Sequence, residues 1–468
     1  MNANFRDLTA HEIATSVAGG ARSARSIVEA SLAVIEKQNP ALNAFTAVLA
    51  ERALAHADAI DSKRASGARL GPLAGVPFSV KNLYDVEDVT TLAGAKINAD
   101  NAAATADATL VQKLEAADAI LVGCLNMGEY AYDFTGENAH FGPSRNPHDP
   151  RHMAGGSSGG SGTAVASGMT PLSLGSDTNG SIRVPSSFCG LFGLKPTYGR
   201  LSRAGTFPFV DAFDHLGPFA RSVKDLALAY DAMQGHDPGD HAQQNRPLAP
   251  TLQSLDQGLT GLRIARATGY FAKGAEPVAF AAVDKIMQAL GSQQTIEIPE
   301  AGRARAAGFL ITMAEGASLH LERLRTRLDD FDPDVRERLI AGAILPASWI
   351  VQAQKFRHWY HTEVLKLFEH VDVIVAPATP CPAPLIGQKN MVLDGVEMAV
   401  RANIGLFTQP ISFIGLPVAA VPVWLEHNRL PIGVQIIAAP WREDIALRVA
   451  HALERSGAAR APVAQPAV

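Results

Sequence analysis

The sequence has few of the residues and runs that mark disulfide-rich, nucleic-acid-binding or membrane proteins. Its 468 residues contain three cysteines, Cys124, Cys189 and Cys381, whose wide spacing forms neither a disulfide framework nor a zinc-binding CxxC pair. The net charge is −5 and no basic stretch occurs, which argues against a nucleic-acid partner. No apolar run approaches the roughly 18 residues of a membrane-spanning helix, and no export signal is visible. We therefore expect a cytoplasmic protein that binds neither nucleic acid nor a membrane.

What the sequence does contain is apolar residues in two alternating patterns. After residue 71, short apolar runs of strand type alternate with segments of helical period, which predicts an α/β fold with buried strands. Near the N-terminus, Ser23 is placed to cap a helix that Pro40 should end. The predicted strands cover residues 76–80, 120–122, 171–174, 371–376, 418–423 and 433–437, and the predicted helices include 47–62, 108–117 and 443–453.

Predicted strands lie on both sides of a long helical stretch, which indicates one sheet-centred domain over residues 1–468. A polar stretch rich in proline, residues 236–257, predicts a surface loop between the two halves. The domain would comprise N-terminal helices (1–65), a first part of the core (71–235), and the remainder of the sheet (258–468) with a helical insertion near 304–368.

A lysine ends the first predicted strand, in the segment Gly-Val-Pro-Phe-Ser-Val-Lys-Asn at residues 75–82. Lys81 could simply extend its ammonium group to solvent from this position. Alternatively, apolar surroundings could keep its amine neutral, because desolvation disfavours the charged form and lowers the pKa of lysine. In that case Lys81 would be a usable base near neutral pH.

A second segment, residues 153–162, is almost entirely glycine and serine and leads into an apolar run. A glycine-rich turn before a helix can bind phosphate, but no Gly-Lys-Ser/Thr follows, so a Walker A loop is not indicated. Residues 155–159 also match the G-x-S-x-G elbow of α/β-hydrolases. That elbow requires a buried strand before it, whereas residues 145–152 are polar and interrupted by proline.

The third segment, residues 175–185, turns through small residues at the end of a predicted strand. Ser181 would be exposed on this tight turn, unless the segment is an ordinary loop. The backbone N–H groups that precede Ser181 can converge on one point, which is the requirement for an oxyanion hole.

Together the three segments resemble the amidase-signature family, and the resemblance runs from about residue 23 to about residue 453. It implies a central mixed, twisted sheet flanked by helices on both faces, with a helical insertion. It also implies that Ser181 is the nucleophile, that Ser157 relays its proton, and that Lys81 is the base. All three are present, which argues against a non-catalytic scaffold protein.

The resemblance also carries details of the site. The peptide bond between Gly156 and Ser157 is cis in the family, and no cofactor or metal is implied. The oxyanion would be held by the backbone N–H group of Ser181 and by those of three neighbours, Thr178, Asn179 and Gly180.

Other segments resemble particular branches of the family. Residues 92–98, 173–183 and 433–441 are similar to the branch that removes the terminal amide of small urea-like acids such as 1-carboxybiuret. Members of that branch work with a small helical partner subunit, so a hetero-oligomer or a homodimer is implied. The alternatives are the glutamine-hydrolysing component of a tRNA-dependent amidotransferase and a general small-amide amidase. The glutamine branch has an acidic residue where our alignment places Gly405, which counts against glutamine.

An anionic substrate would need a cationic ligand. Arg357 aligns with an arginine that binds the substrate carboxylate in the glutamine branch, and a planar guanidinium suits a carboxylate. The other interpretation is an arginine on a helix surface. Arg183 is a weaker candidate that we interpret as structural, because members with neutral substrates share it.

Overall fold

Buried apolar segments pair into one large sheet in the computed structural model, which describes residues 4–465. The eleven strands follow the order β1-β3-β2-β4-β6-β5-β12-β13-β9-β7-β8, and β10 and β11 form a separate hairpin. The strands are β1 Phe45–Val48, β2 Pro77–Lys81, β3 Ile120–Leu125, β4 Leu172–Ser176, β5 Phe192–Lys195, β6 Leu216–Ala220, β7 Ile264–Thr268, β8 Thr295–Glu297, β9 Val373–Pro377, β10 Asn390–Leu393, β11 Val396–Ala399, β12 Val418–Val423 and β13 Ile432–Ala438.

Helices cover both faces of this sheet. They are α1 Ala10–Ala18, α2 Ala24–Leu42, α3 Ala50–Ala65, α4 Thr109–Ala116, α5 Gly159–Ala166, α6 Arg183–Cys189, α7 Val223–Met233, α8 Pro277–Leu290, α9 Ala301–Thr326, α10 Pro333–Ala343, α11 Ala347–Leu367, α12 Val400–Asn403, α13 Gln409–Ser412 and α14 Glu443–Arg455. Short 3-10 helices lie at Phe5–Asp7, Ile97–Asp100, Glu129–Ala131, Leu252–Gln257, Gly269–Ala272 and Leu328–Asp330. Within residues 4–465, none of the helices combines the length and the apolar character needed to cross a bilayer.

The sheet is mixed, as predicted. Strands β2, β3 and β4 run parallel to one another, whereas β4 pairs with β6, and β12 with both β5 and β13, in antiparallel fashion. Every strand predicted from the sequence is present within two residues of its expected bounds, except that β3 continues three residues further. The long helical insertion is also present as α9, α10 and α11.

Two predictions near the N-terminus are wrong. Pro40 does not end α2, which continues to Leu42 and ends where Asn43 adopts a left-handed φ of 51°. Pro40 lies in the last turn of α2, where its missing N–H group costs one backbone hydrogen bond. The helix can therefore continue for two more residues after it. Ser23 does cap this helix, accepting from Ser26 N at 3.0 Å. The helix predicted from residue 47 begins at residue 50, because the preceding residues pair with β3 as strand β1.

The parallel strands β2 and β4 position the chemistry-bearing segments. They lie side by side, and β2 ends at Lys81 while β4 ends at Ser176. Helix α5, which follows the glycine- and serine-rich segment, packs against both strands. Since carboxyl ends of adjacent parallel strands meet at one edge of a sheet, the three segments converge there.

Candidate active site

Lys81 is fully buried and makes two hydrogen bonds to serine hydroxyl groups. Its Nζ lies 2.5 Å from Ser157 Oγ and 2.9 Å from Ser176 Oγ. Burial lowers the pKa of Lys81 to about 7, and the opposing effect of three buried or nearly buried carboxylates, Asp214, Asp177 and Asp133, is smaller. The amine therefore does not reach solvent, and a large fraction of it is neutral at physiological pH.

The glycine- and serine-rich segment is buried, and its backbone is held on both sides of Ser157. The peptide bond between Gly156 and Ser157 is cis. Gly156 N donates to Phe134 O at 2.8 Å, and Ser157 O accepts from Gly128 N at 3.1 Å. A Cβ atom on Gly156 would lie 2.5 Å from Asp133 Oδ2. The segment is therefore a packed part of the core and not a flexible linker. Residues 145–152 form turns and isolated bridges, so the strand that a G-x-S-x-G elbow requires does not precede it.

Residues 177–182, which we name the nucleophile loop, connect β4 to α6. Asp177 Oδ2 accepts hydrogen bonds from Ile182 N at 3.1 Å and from Arg183 Nε at 3.0 Å, and Asp177 Oδ1 pairs with Arg183 Nη2 at 2.8 Å. Both members of this ion pair are fully buried. Arg183 also donates to Gln435 Oε1 at 2.8 Å and to Thr408 O at 3.0 Å. The guanidinium of Arg183 therefore donates its hydrogen bonds to buried groups of the protein, which agrees with a structural role.

The nucleophile loop leaves four consecutive backbone donors free. Among residues 4–465, the N–H groups of Thr178, Asn179, Gly180 and Ser181 donate no hydrogen bond, and neither does the Ser181 hydroxyl group. The loop is instead held through its other atoms. Thr178 Oγ1 donates to Asp214 Oδ1 at 2.6 Å, Asn179 Nδ2 to Thr312 Oγ1 at 3.0 Å, and Asn179 O accepts from Thr408 Oγ1 at 2.7 Å. Free donors in a fixed loop are suited to bind a developing oxyanion.

Ser181 lines a small cavity of about 20 Å³. Two arginines that the sequence did not indicate, Arg338 and Arg401, line the same cavity. Arg401 Nη1 lies 3.3 Å from Asp133 Oδ1, and Arg401 Nη2 lies 3.2 Å from Asp334 Oδ2. Arg338 lies with its guanidinium carbon 4.1 Å from the Tyr132 ring centroid. The other lining residues include Phe134, Thr178, Asn179, Phe209, Phe309, Thr312 and Gln409.

Arg357, the predicted carboxylate ligand, does not line this cavity. Its Nε donates to Phe413 O at 2.7 Å and its Nη2 to Ala212 O at 2.8 Å. It faces a different cleft, together with Tyr198 and His358 among others. The structure thus brings Lys81 and Ser157 into hydrogen-bond contact, and it places Ser181 in the nucleophile loop, which directly follows Ser176, the other hydrogen-bond partner of Lys81. Arg357 lies in a separate cleft, where two backbone carbonyl groups accept its hydrogen bonds. Within the described part of the chain, no group of three or more His, Cys, Asp or Glu side chains is placed to hold a metal ion.

Comparison with known proteins identifies the family. The family model named Amidase matches residues 26–447. The AtzE component of 1-carboxybiuret hydrolase from Pseudomonas sp. (strain ADP) is 53% identical over 450 residues, covering 96% of this chain and 98% of that protein. One component of the glutamyl-tRNA(Gln) amidotransferase of Geobacter metallireducens is 35% identical over 481 residues, covering 97% of this chain and 98% of that protein.

Solved structures give the same result. A structure of an s-triazine catabolic enzyme, described as an unexpected vestigial protein complex, superposes with a TM-score of 0.96 at 53% identity, covering 97% of this chain and 99% of that one. A bacterial aryl acylamidase of the amidase-signature enzymes gives a TM-score of 0.87 at 26% identity, covering 96% of each chain. This chain belongs to the amidase family and is an amide hydrolase with the amidase-signature fold.

Proposed function

We propose that this enzyme hydrolyses the terminal carboxamide of a small urea-like acid, such as 1-carboxybiuret, and releases ammonia. The observation that carries the proposal is the buried Lys81 amine, with its pKa lowered to about 7, hydrogen-bonded to Ser157 beside the free donors of the nucleophile loop. The 53% identity to a component of 1-carboxybiuret hydrolase supports the choice of substrate.

In the proposed mechanism Ser181 attacks the carboxamide carbon. Its proton passes to Ser157, whose own proton passes to the neutral amine of Lys81, which has a lone pair to accept it. The free N–H groups of residues 178–181 stabilise the negative charge on the tetrahedral intermediate. Reversal of the relay protonates the leaving nitrogen, so that ammonia departs and an acyl-enzyme remains. Water then attacks this ester with the same relay as general base.

The carboxylate of the substrate requires a cation, and the cavity that holds Ser181 offers two. We propose Arg401 as the main ligand, because its Nη1 is buried and makes no hydrogen bond to a described residue, although it lies near Asp133. Arg338 lines the same cavity but is held by hydrogen bonds, including one from its Nη2 to Tyr132 O at 2.6 Å. In this proposal Arg401 and Arg338, and not Arg357, bind the carboxylate of the substrate.

Glutamine is the second substrate to consider, since a component of the glutamyl-tRNA(Gln) amidotransferase is a relative at 35% identity. Gly405 stands where our alignment expects the acidic residue of that branch. A Cβ atom at this position would lie 2.4 Å from the Phe134 ring. The ring therefore fills the space that a side chain would need, and glutamine hydrolysis is the weaker candidate.

Ammonia release from a panel of amides tests the proposal. The purified enzyme would be incubated with 1-carboxybiuret, biuret, malonamate, glutamine and an aryl amide, with Ser181→Ala as the inactive control. We expect the highest kcat/KM for 1-carboxybiuret, and no turnover above background for Ser181→Ala. A preference for glutamine or for the aryl amide would reject the substrate, and turnover by Ser181→Ala would reject the mechanism.

We also propose that this enzyme assembles with a partner protein. The solved structure with a TM-score of 0.96 is described as a protein complex, so we propose a small helical partner protein in a hetero-oligomer, or else a homodimer. Light scattering of the protein co-expressed with its neighbouring genes would give the mass of the assembly, and a lone monomer would contradict the proposal of a partner.

The cytoplasm is the proposed location of the enzyme, since all three cysteines are unpaired.

A further inference from the structure

Arg357 on α11 connects two backbone segments that both contact the nucleophile loop. Its Nε donates to Phe413 O at 2.7 Å, and its Nη2 donates to Ala212 O at 2.8 Å. Its guanidinium carbon lies 4.7 Å from the Phe213 ring centroid. No carboxylate of residues 4–465 forms an ion pair with it. One half-buried side chain therefore joins α11 to both segments through uncharged groups.

The first segment, residues 208–214, holds the start of the nucleophile loop. Asp214 Oδ1 accepts from Thr178 Oγ1 at 2.6 Å, and Asp214 Oδ2 accepts from Phe209 N and Val210 N at 2.8 and 3.0 Å. A displacement of the turn around Ala212 would therefore reach the Thr178 side chain through Asp214. Burial raises the pKa of Asp214, yet the carboxyl group keeps these three donors.

The second segment, residues 405–413, holds the middle of the nucleophile loop. Thr408 Oγ1 donates to Asn179 O at 2.7 Å. Ser412, at the end of α13, accepts a hydrogen bond from Arg183. Arg183 also binds the side chain of Asp177, the first residue of the nucleophile loop. Phe413, whose carbonyl group binds Arg357, directly follows Ser412. A displacement of Phe413 would therefore reach the nucleophile loop through α13.

We propose that Arg357 is a positioning residue for the oxyanion hole. By tying Ala212 and Phe413 to one rigid guanidinium, it fixes the spacing of the two segments that hold the start and the middle of the nucleophile loop. The free N–H groups of residues 178–181 are then held in fixed positions before the substrate arrives, and such preorganisation is the main source of oxyanion stabilisation. Arg357 itself does not touch the substrate.

Steady-state kinetics of Arg357 variants on two substrates test this role, which rests on the proposed amide hydrolysis. The substrates are the anionic 1-carboxybiuret and a small neutral amide. For Arg357→Ala we expect kcat to fall roughly 10- to 100-fold on both substrates with little change in KM, a part of the 10²- to 10³-fold effect of losing one oxyanion donor. Arg357→Lys should recover part of kcat, because an ammonium group can reach only one of the two carbonyl groups. Added guanidinium should also partly restore the activity of Arg357→Ala.

Several measurements keep the outcome unambiguous. Lys355→Ala, an exposed neighbour on the same helix, is the matched control and should keep wild-type kinetics. Circular dichroism and titration of reactive Ser181 with a phosphonofluoridate give the folded, competent fraction of each variant. An unchanged kcat per titrated site in Arg357→Ala would overturn the proposal, even if the Tm falls. A loss confined to the anionic substrate would overturn it in favour of a carboxylate ligand. If the wild-type enzyme hydrolysed no amide at all, the proposed function would fail instead.

Discussion

At the scale of single residues, the charge state of Lys81 decides whether the site can work. Burial lowers its pKa to about 7, so that the amine gains its lone pair as the pH rises through 7. We expect kcat/KM to increase about tenfold per pH unit below 7 and to level off above it. A pH profile from 5.5 to 9 measures this, with circular dichroism at each pH to confirm folding. A flat profile, or one that falls toward alkaline pH, would contradict Lys81 as the base.

Arg401 decides how well an anionic substrate binds, according to our proposal. Removing a charge-assisted contact leaves a carboxylate buried without a partner, which costs about 2–5 kcal/mol. We expect Arg401→Gln to lower kcat/KM for 1-carboxybiuret by roughly a hundredfold or more. A neutral amide of similar size should lose much less. Measuring both substrates separates recognition from a folding defect, which would reduce them equally, and equal losses would reject the charge argument.

Residues within local motifs could be predicted from the sequence, whereas those from distant segments could not. Lys81, Ser157 and Ser181 each lie in a short segment of unusual composition, and the three segments together resemble the amidase-signature family, which implies their roles. Arg338 on α10 and Arg401 on α12 lie outside any motif, and only tertiary packing brings them to the cavity. Arg357 was predicted instead, because it aligns with a carboxylate-binding arginine of the glutamine branch, and its position in the sequence gives no sign of which cleft its guanidinium faces.

At the scale of elements, the nucleophile loop depends on the buried ion pair between Asp177 and Arg183. Breaking such a pair by removing one partner leaves an uncompensated charge and costs about 3–5 kcal/mol. We therefore expect Arg183→Ala to lower the free energy of unfolding by that amount, and to reduce activity on anionic and neutral amides alike. Urea unfolding followed by circular dichroism measures the first effect. Wild-type stability together with a selective loss on anionic amides would show that Arg183 binds substrate.

The errors at this scale have a common cause. Strand β1 has only four residues and is assigned through its pairing with β3, which no local pattern records. The left-handed Asn43, and not Pro40, ends α2, because a residue must be free to leave the helix path where the chain turns toward β1. Long, strongly periodic segments such as α14 and β12 were predicted within two residues, since burial of one face or both faces dictates their pattern.

At the scale of the whole molecule, the site is maintained at the expense of stability. Keeping a lysine neutral at pH 7 is unfavourable, because its ordinary pKa is near 10.4. Between pH 7 and about 10 the Lys81 amine binds more protons in the unfolded chain than in the folded one, so the destabilising contribution of Lys81 shrinks as the pH rises. We expect Lys81→Met to raise the free energy of unfolding at pH 7 by roughly 1–3 kcal/mol, and the gain should shrink toward pH 10. Urea unfolding at pH 7 and pH 9.5 measures both values, and a less stable variant at pH 7 would contradict the argument.

The single large sheet supports the proposal of one domain. Its strand order places β12 and β13, from the second half of the chain, next to β5 and β9, so that strands on both sides of the helical insertion share one hydrogen-bonded ladder. A boundary between residues 235 and 258 would therefore cut through paired strands. The insertion contributes Phe309 and Thr312 of α9 and Arg338 of α10 to the lining of the cavity, and α9 packs against α13.

The sequence by itself determined the family of this protein and its amide-hydrolysing chemistry, because three short segments together resemble the amidase-signature family. It also determined the α/β class, since buried strands and amphipathic helices leave different periods. Only the tertiary structure decided which cations line the cavity beside Ser181 and how the nucleophile loop is held. Those contacts join residues more than a hundred positions apart, such as Thr408 with Asn179 and Arg357 with Ala212. Such contacts depend on how distant segments of the chain pack against one another, and no local pattern encodes that packing.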